Sequence, residues 1–162
     1  MDVKELTRAR NTAYRLLTYR SRSCAEVERK LREKGFDDCI THAVLDEFIR
    51  LGYLDDEKFV VQWAECRVRL SSHGKHRIEL ELIRKGVGRE VVRRKLAEVF
   101  SADTEITTAR QAAFRRLQSM QSLDHSARHR RIAGYLERKG YSYEVIRSIL
   151  RDIDKGAGFE SE

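Results

Sequence analysis

His125 and His129 stand four residues apart, a spacing that puts two imidazoles on one face of a helix and is used to grip metal ions. Their neighbours Arg128, Arg130 and Arg131 oppose a cation, so no metal and no cofactor is expected of the pair. Asp55 and Asp56 are adjacent where a helix begins and point in different directions. They are expected to cap helices rather than to divide acid and base duties. The chain has no Gly-rich loop followed by Lys and Ser or Thr, so a nucleotide has no visible cradle, and no nucleophile can be matched with a positioned base. The sequence therefore predicts a binding protein and not an enzyme.

The remaining residue type with chemistry is arginine. Residues 6–25 hold Arg8, Arg10, Arg15, Arg20 and Arg22 without an acid, and Arg8, Arg15 and Arg22 recur every seven residues, close to one helical stripe. Arg67, Arg69, Lys75 and Arg77 form a second acid-free run, and Arg110, Arg115 and Arg116 belong to a third. Guanidinium groups so arranged suit phosphates or the carboxylates of a protein partner. Each run alone is a solvated face. Repeated in register, the three are expected to line one cationic flank whose binding is sensitive to salt.

The elements that must carry these residues are helices. The 162 residues include no proline, 41% are hydrophobic and 36% charged, and the net charge is +7. Cys24, Cys39 and Cys66 lack metal-binding or disulfide-framework spacing and are expected to be small apolar residues of a reduced, cytoplasmic protein. Nothing in the chain has the length and apolarity of a membrane span.

Three Lys-Gly pairs, Lys34-Gly35, Lys85-Gly86 and Lys139-Gly140, punctuate one repeated pattern. Eight residues before each Gly stand Val27, Ile78 and Ile132, and four before it Leu31, Leu82 and Leu136. Phe36, Val87 and Tyr141 follow directly, with Ile40, Val91 and Val145 at the fifth position and Leu45, Leu96 and Leu150 at the tenth. A further helix precedes each pattern, marked by Ala9, Ala13 and Leu17, then Val60, Ala64 and Val68, then Ala109, Ala113 and Leu117. This predicts helices over 5–20, 23–34, 37–51, 55–72, 75–85, 88–100, 103–122, 125–139 and 142–153. The fold class is all-α, with three tandem three-helix, helix-turn-helix-like repeats at 1–53, 54–101 and 102–155 in an elongated, solenoid-like row and a flexible tail at 156–162. Ser23 and Glu26 have the spacing of a capping box, and the third copy carries extra residues around Gln118 to Ser126. Trp63 is expected in the core.

The starts of the third helices carry Asp37, Asp38, Glu90 and Glu144, which oppose phosphate and read guanine poorly. Sequence-specific operator binding is therefore not expected.

The central run Gly52-Tyr53-Leu54-Asp55-Asp56 with Phe59 and Trp63, then Gly74, Arg77-Ile78, Glu81-Leu82 and Lys85-Gly86, resembles the RecX family. The resemblance implies a bacterial cytoplasmic protein, acting in DNA recombination, DNA repair and the SOS response. It would bind RecA filaments on single-stranded DNA and restrain their growth, ATPase, strand exchange and coprotease activity. An elongated monomer would lie in the filament groove. The alternative is a non-sequence-specific binder of single- or double-stranded nucleic acid, DNA included, acting through a basic surface. For either partner the candidate contacts are the ten cationic residues Arg8, Arg15, Arg22, Arg67, Arg69, Lys75, Arg77, Arg110, Arg115 and Arg116.

Overall fold

The computed structural model describes residues 2–120 and 122–155; the tail expected at 156–162 lies outside them. Among these residues there are nine α-helices and no strand. They are α1 (Val3–Tyr19), α2 (Cys24–Glu33), α3 (Asp38–Arg50), α4 (Asp56–Ser71), α5 (Lys75–Arg84), α6 (Arg89–Val99), α7 (Ala102–Leu117), α8 (His125–Lys139) and α9 (Tyr143–Asp154). The helix expected to reach 122 stops at Leu117, and a 3₁₀ turn at Gln118–Met120 takes up the extra residues of the third copy. None of the described helices is long and apolar enough to cross a membrane.

Side-chain oxygens start seven of the nine described helices. Asp2, Ser23, Asp37, Ser101, Asp124 and Ser142 each accept from a first-turn amide, and Asp55 accepts from the Lys58 amide at 3.0 Å. At Ser23 the full capping box forms with Glu26. The ends are equally regular. Gly35, Gly86 and Gly140 all take the left-handed conformation, with φ of +86°, +82° and +87°. The residue after each returns its amide to the Leu five positions back, Phe36 to Leu31, Val87 to Leu82 and Tyr141 to Leu136, at 3.2–3.3 Å. This double turn satisfies carbonyls that a helix end otherwise leaves bare and folds the next apolar side chain onto the helix just closed.

The chain packs as two compact units. Unit 1 comprises residues 1–62 and 81–95, unit 2 residues 63–80 and 96–162, so that α4, α5 and α6 are each divided between them. Unit 1 is built on Ala9, Ala13, Val27, Leu31, Phe36, Ile40, Val44, Leu45, Phe48 and Leu54. Unit 2 is built on Ala109, Ala112, Ala113, Met120, Ile132, Leu136, Tyr141, Val145, Ile146 and Ile149.

The aligned sites before and just after the three glycines are buried in every copy, but the register of the third helix needs correction. Val91 is only half-buried and Val92 takes the buried place. The position buried in all three copies is the sixth after the Gly, occupied by Thr41, Val92 and Ile146. It escapes a hydrophobic alignment because the first copy has a polar residue there. Likewise Leu150 is half-buried and Ile149 fully buried. Trp63 is also half-buried rather than core, with the Arg67 guanidinium 4.4 Å above its ring, and Cys39 is exposed.

One junction occurs in both units. In unit 1 the end of α5 meets the start of α2: Ser23 Oγ donates to the Lys85 carbonyl at 2.6 Å, and Gly86 abuts Ala25. In unit 2 the end of α8 meets the start of α5: the Gly74 amide donates to the Lys139 carbonyl at 2.8 Å, and Gly140 abuts Arg77. Each junction sets the negative end of one helix against the positive end of another. A Cβ at Gly74 would sit 2.5 Å from the Gly140 carbonyl oxygen, and one at Gly140 would sit 2.5 Å from the Arg77 amide nitrogen. A Cβ at Gly35 meets nothing within 4 Å.

Two predictions follow the packing. Gly35→Ala is expected to cost about 1 kcal/mol of left-handed strain, and Gly140→Ala roughly 3 kcal/mol or more, because the latter must also prise open its junction. Urea unfolding of the two variants measures the difference, and equal losses would refute the junction's role. Thr41 Oγ1 is buried without a hydrogen-bond partner among the described residues. Thr41→Val is therefore expected to stabilise the protein by about 1 kcal/mol, read as a higher thermal midpoint.

Candidate partner-binding surface

On α1 the small residues Ala9 and Ala13 face the core, which turns Arg8 and Arg15 outward. Two clefts lie along this helix. One, of about 350 Å³, is lined by Arg8, Asn11, Thr12, Arg15, Lys34 and Phe36; the other, of about 310 Å³, by Thr12, Arg15, Leu16, Tyr19, Arg22 and Lys34. Arg15, Thr12 and Lys34 line both. No carboxylate among the described residues lines either cleft. The structure thus gathers Arg8, Arg15 and Arg22 along one surface and adds Lys34 from the end of α2, whose sequence signal was that of a helix-ending lysine. Tyr19, 89% exposed, is the second residue missed; its ring stands beside the arginines with almost no cover.

The seven-residue spacing separates two kinds of arginine. Arg10 binds Glu47 at 2.7 Å and Arg20 binds Glu26 at 2.7 Å, whereas Arg8 and Arg15 pair with no carboxylate among the described residues. Arg22 donates from Nε to the Leu16 carbonyl at 3.0 Å and so covers the end of α1. Burial and the nearby Arg20 depress its guanidinium pKa below the ordinary value, with Arg29 acting the same way. An anion entering this cleft would relieve that repulsion.

The loop carrying Arg22 is held by a buried ionic cluster. Glu26, 4% exposed, receives Arg20 through both carboxylate oxygens, at 2.7 and 3.2 Å, and Lys85 at 3.1 Å. Burial opposes its charge, but the hydrogen bonds from Arg20, Lys85 and the Ser23 amide prevail and hold its pKa at about 2. Asp56 is not a cap of its own helix: its Oδ1 accepts from the Cys24 amide at 2.9 Å, capping α2 from a distance of 32 residues. Burial, reinforced by Asp56, pushes the Cys24 thiol up to about 12, which keeps it protonated and unreactive.

The other cationic candidates meet varied surroundings. Arg67 stacks on Trp63, and Arg77 donates to the Arg138 carbonyl at 2.8 Å. Lys75 is half-buried near Glu105, whose carboxyl pKa is raised by burial against the pull of that lysine. Arg110 pairs with Asp152 at 2.8 Å, and Arg116 stands 5.9 Å from the Tyr135 ring centre, which Lys139 also approaches. Arg69 and Arg115 are exposed.

Comparison with known proteins agrees with the repeat. Residues 9–48, 55–96 and 103–150 match the family models for the first, second and third three-helix domains of RecX. The regulatory protein RecX of Mycolicibacterium vanbaalenii is 38% identical over 155 residues, covering 92% of this chain and 84% of that protein. Its counterpart in Mycobacterium sp. (strain JLS) is 36% identical over 140 residues, 84% of this chain and 76% of the relative. The crystal structure of RecX from Lactobacillus salivarius superposes with a TM-score of 0.86 at 20% identity, covering 95% of this chain and 99% of that one.

The Glu26 cluster generates a pH prediction. Its folded-state pKa lies below the ordinary 4.5, so its contribution, roughly 2–3 kcal/mol, is present above that value and is lost as pH falls toward 2. Urea unfolding from pH 7 down to pH 2.5 is expected to show this loss in the parent chain and a shallower acid dependence in Glu26→Gln. Parallel pH profiles for the two proteins would be inconsistent with the cluster as described.

Proposed function

This chain belongs to the RecX family of regulatory proteins, and on that premise we propose that it binds RecA filaments assembled on single-stranded DNA and restrains them. It limits their growth, ATP hydrolysis, strand exchange and coprotease activity by occupying surface, without making or breaking a bond. Its place of action is the cytoplasm, where RecA works, and it acts as a monomer.

The observation that carries this reading is the pair of acid-free clefts along α1. Arg8, Arg15, Arg22 and Lys34 offer an anionic partner several cations that need not be detached from an acid first. Clefts open to solvent and rich in guanidinium suit the carboxylate-bearing face of a protein or the phosphates of its DNA. Exposed Tyr19 supplies an aromatic anchor beside them. Arg67, Arg69, Lys75, Arg77, Arg110, Arg115 and Arg116 provide secondary contacts, of which Arg69, Arg77, Arg115 and Arg116 are exposed.

The competing reading, a general nucleic acid binder, is favoured by the same clefts and separates cleanly in one assay. With single-stranded DNA in excess, competition for DNA is abolished, and the chain is expected still to slow RecA's ATP hydrolysis. Arg8→Glu/Arg15→Glu, at two exposed positions that hold no ion pair among the described residues, is expected to weaken the inhibition by roughly tenfold or more, and raised salt to weaken that of the parent. Hydrolysis that continues at its normal rate under these conditions would leave only the nucleic acid reading.

A further inference from the structure

The first turn of α8 and the last turn of α9, both in unit 2, bring together three potential metal ligands. His125 Nε2 is hydrogen-bonded to Asp154 Oδ1 at 2.8 Å, and His129 Nε2 lies 2.8 Å from the same oxygen. The two rings are 4.3 Å apart, and one ligand atom from each of the three residues lies within 4.8 Å of the others. His129 Nε2 is shut off from solvent and, despite the short distance, has no hydrogen-bond partner among the described residues. A buried ring nitrogen that faces a carboxylate oxygen without a well-formed bond is a polar group with its capacity unused.

We propose that His125, His129 and Asp154 form a binding site for a divalent transition metal ion, with zinc the ion that suits them best. Two imidazoles and one carboxylate are a common three-ligand zinc set, and the i,i+4 pair presents both Nε2 atoms from one helical face. Magnesium and calcium prefer all-oxygen shells and are poorly matched. His125 and Asp154 are exposed, which gives the ion a path from solvent and leaves room for water to complete a tetrahedron. The objection raised by neighbouring arginines is weakened by geometry. Arg130 and Arg131 lie about 100° or more round the helix from the pair, which leaves Arg128 on α8 and Arg151, one turn before Asp154 on α9, as the nearest arginines along these two helices. The last carbonyls of α9 add negative potential beside Asp154. A bound ion would tie the first turn of α8 to the last turn of α9 and stiffen both ends of the third copy.

The test is calorimetric titration of zinc chloride into the full chain carrying Cys39→Ser, since that exposed thiol is an alternative zinc ligand. One equivalent is expected to bind, with no heat from magnesium, and saturating zinc is expected to raise the thermal midpoint by several degrees. His129→Gln and Asp154→Asn, each checked for unchanged helical content, should weaken zinc binding more than about tenfold and abolish the thermal gain. No binding in the parent, or binding that both variants retain, overturns the proposal.

Discussion

A helix that ends in a left-handed glycine can bring another helix's first turn up to its last carbonyls, because no side chain stands in the way. That constraint governs both halves of this protein. At Lys85-Gly86 the bare carbonyl is met by the Ser23 hydroxyl, and at Lys139-Gly140 by the Gly74 amide. The two contacts use different chemistry to reach the same end, since residue 74 has exchanged a hydroxyl for the space in which a backbone can approach. Gly35 has a similar φ, yet a Cβ there would meet nothing within 4 Å. The conformation closes a helix wherever it occurs; the docking requires a partner as well.

The junctions also sort the charges. Equivalent lysines before the three glycines have three fates: Lys34 lines the cationic clefts, Lys85 joins the buried Glu26 cluster, and Lys139 donates to the Ser71 carbonyl at 2.7 Å. Burial makes Glu26 costly as a lone charge, and the hydrogen bonds it accepts from Arg20 and Lys85 offset that cost. The arginines outside such pairs keep their charge facing solvent along α1. An open cationic surface and a stable junction are thus made from the same residue types, separated by whether an acid lies within reach.

Most of the secondary structure was legible in the sequence because its causes are local. Caps act within one turn, glycine's left-handed preference belongs to the residue itself, and a three-fold repeat multiplies each weak signal. The errors arose where a position is judged by its neighbours in space. Thr41 concealed the buried sixth position of the third helix because a hydroxyl reads as surface, although here the whole side chain is buried. Trp63 read as core, but it is half-buried, with the Arg67 guanidinium over its ring. Asp56 read as a local cap, and its true partner lies 32 residues away.

By itself, then, the sequence determined an all-helical chain, its three-fold repeat, the left-handed glycines and the runs of arginine, since each depends on intrinsic preference or on spacing along one helix. Only the tertiary structure decided which arginines are engaged by acids, that Lys34 and Tyr19 join Arg8, Arg15 and Arg22, and that Asp154 comes to the histidine pair. Those outcomes depend on distances between helices, and a charge or a ligand acquires its role only when another chain segment is brought within a few ångströms of it.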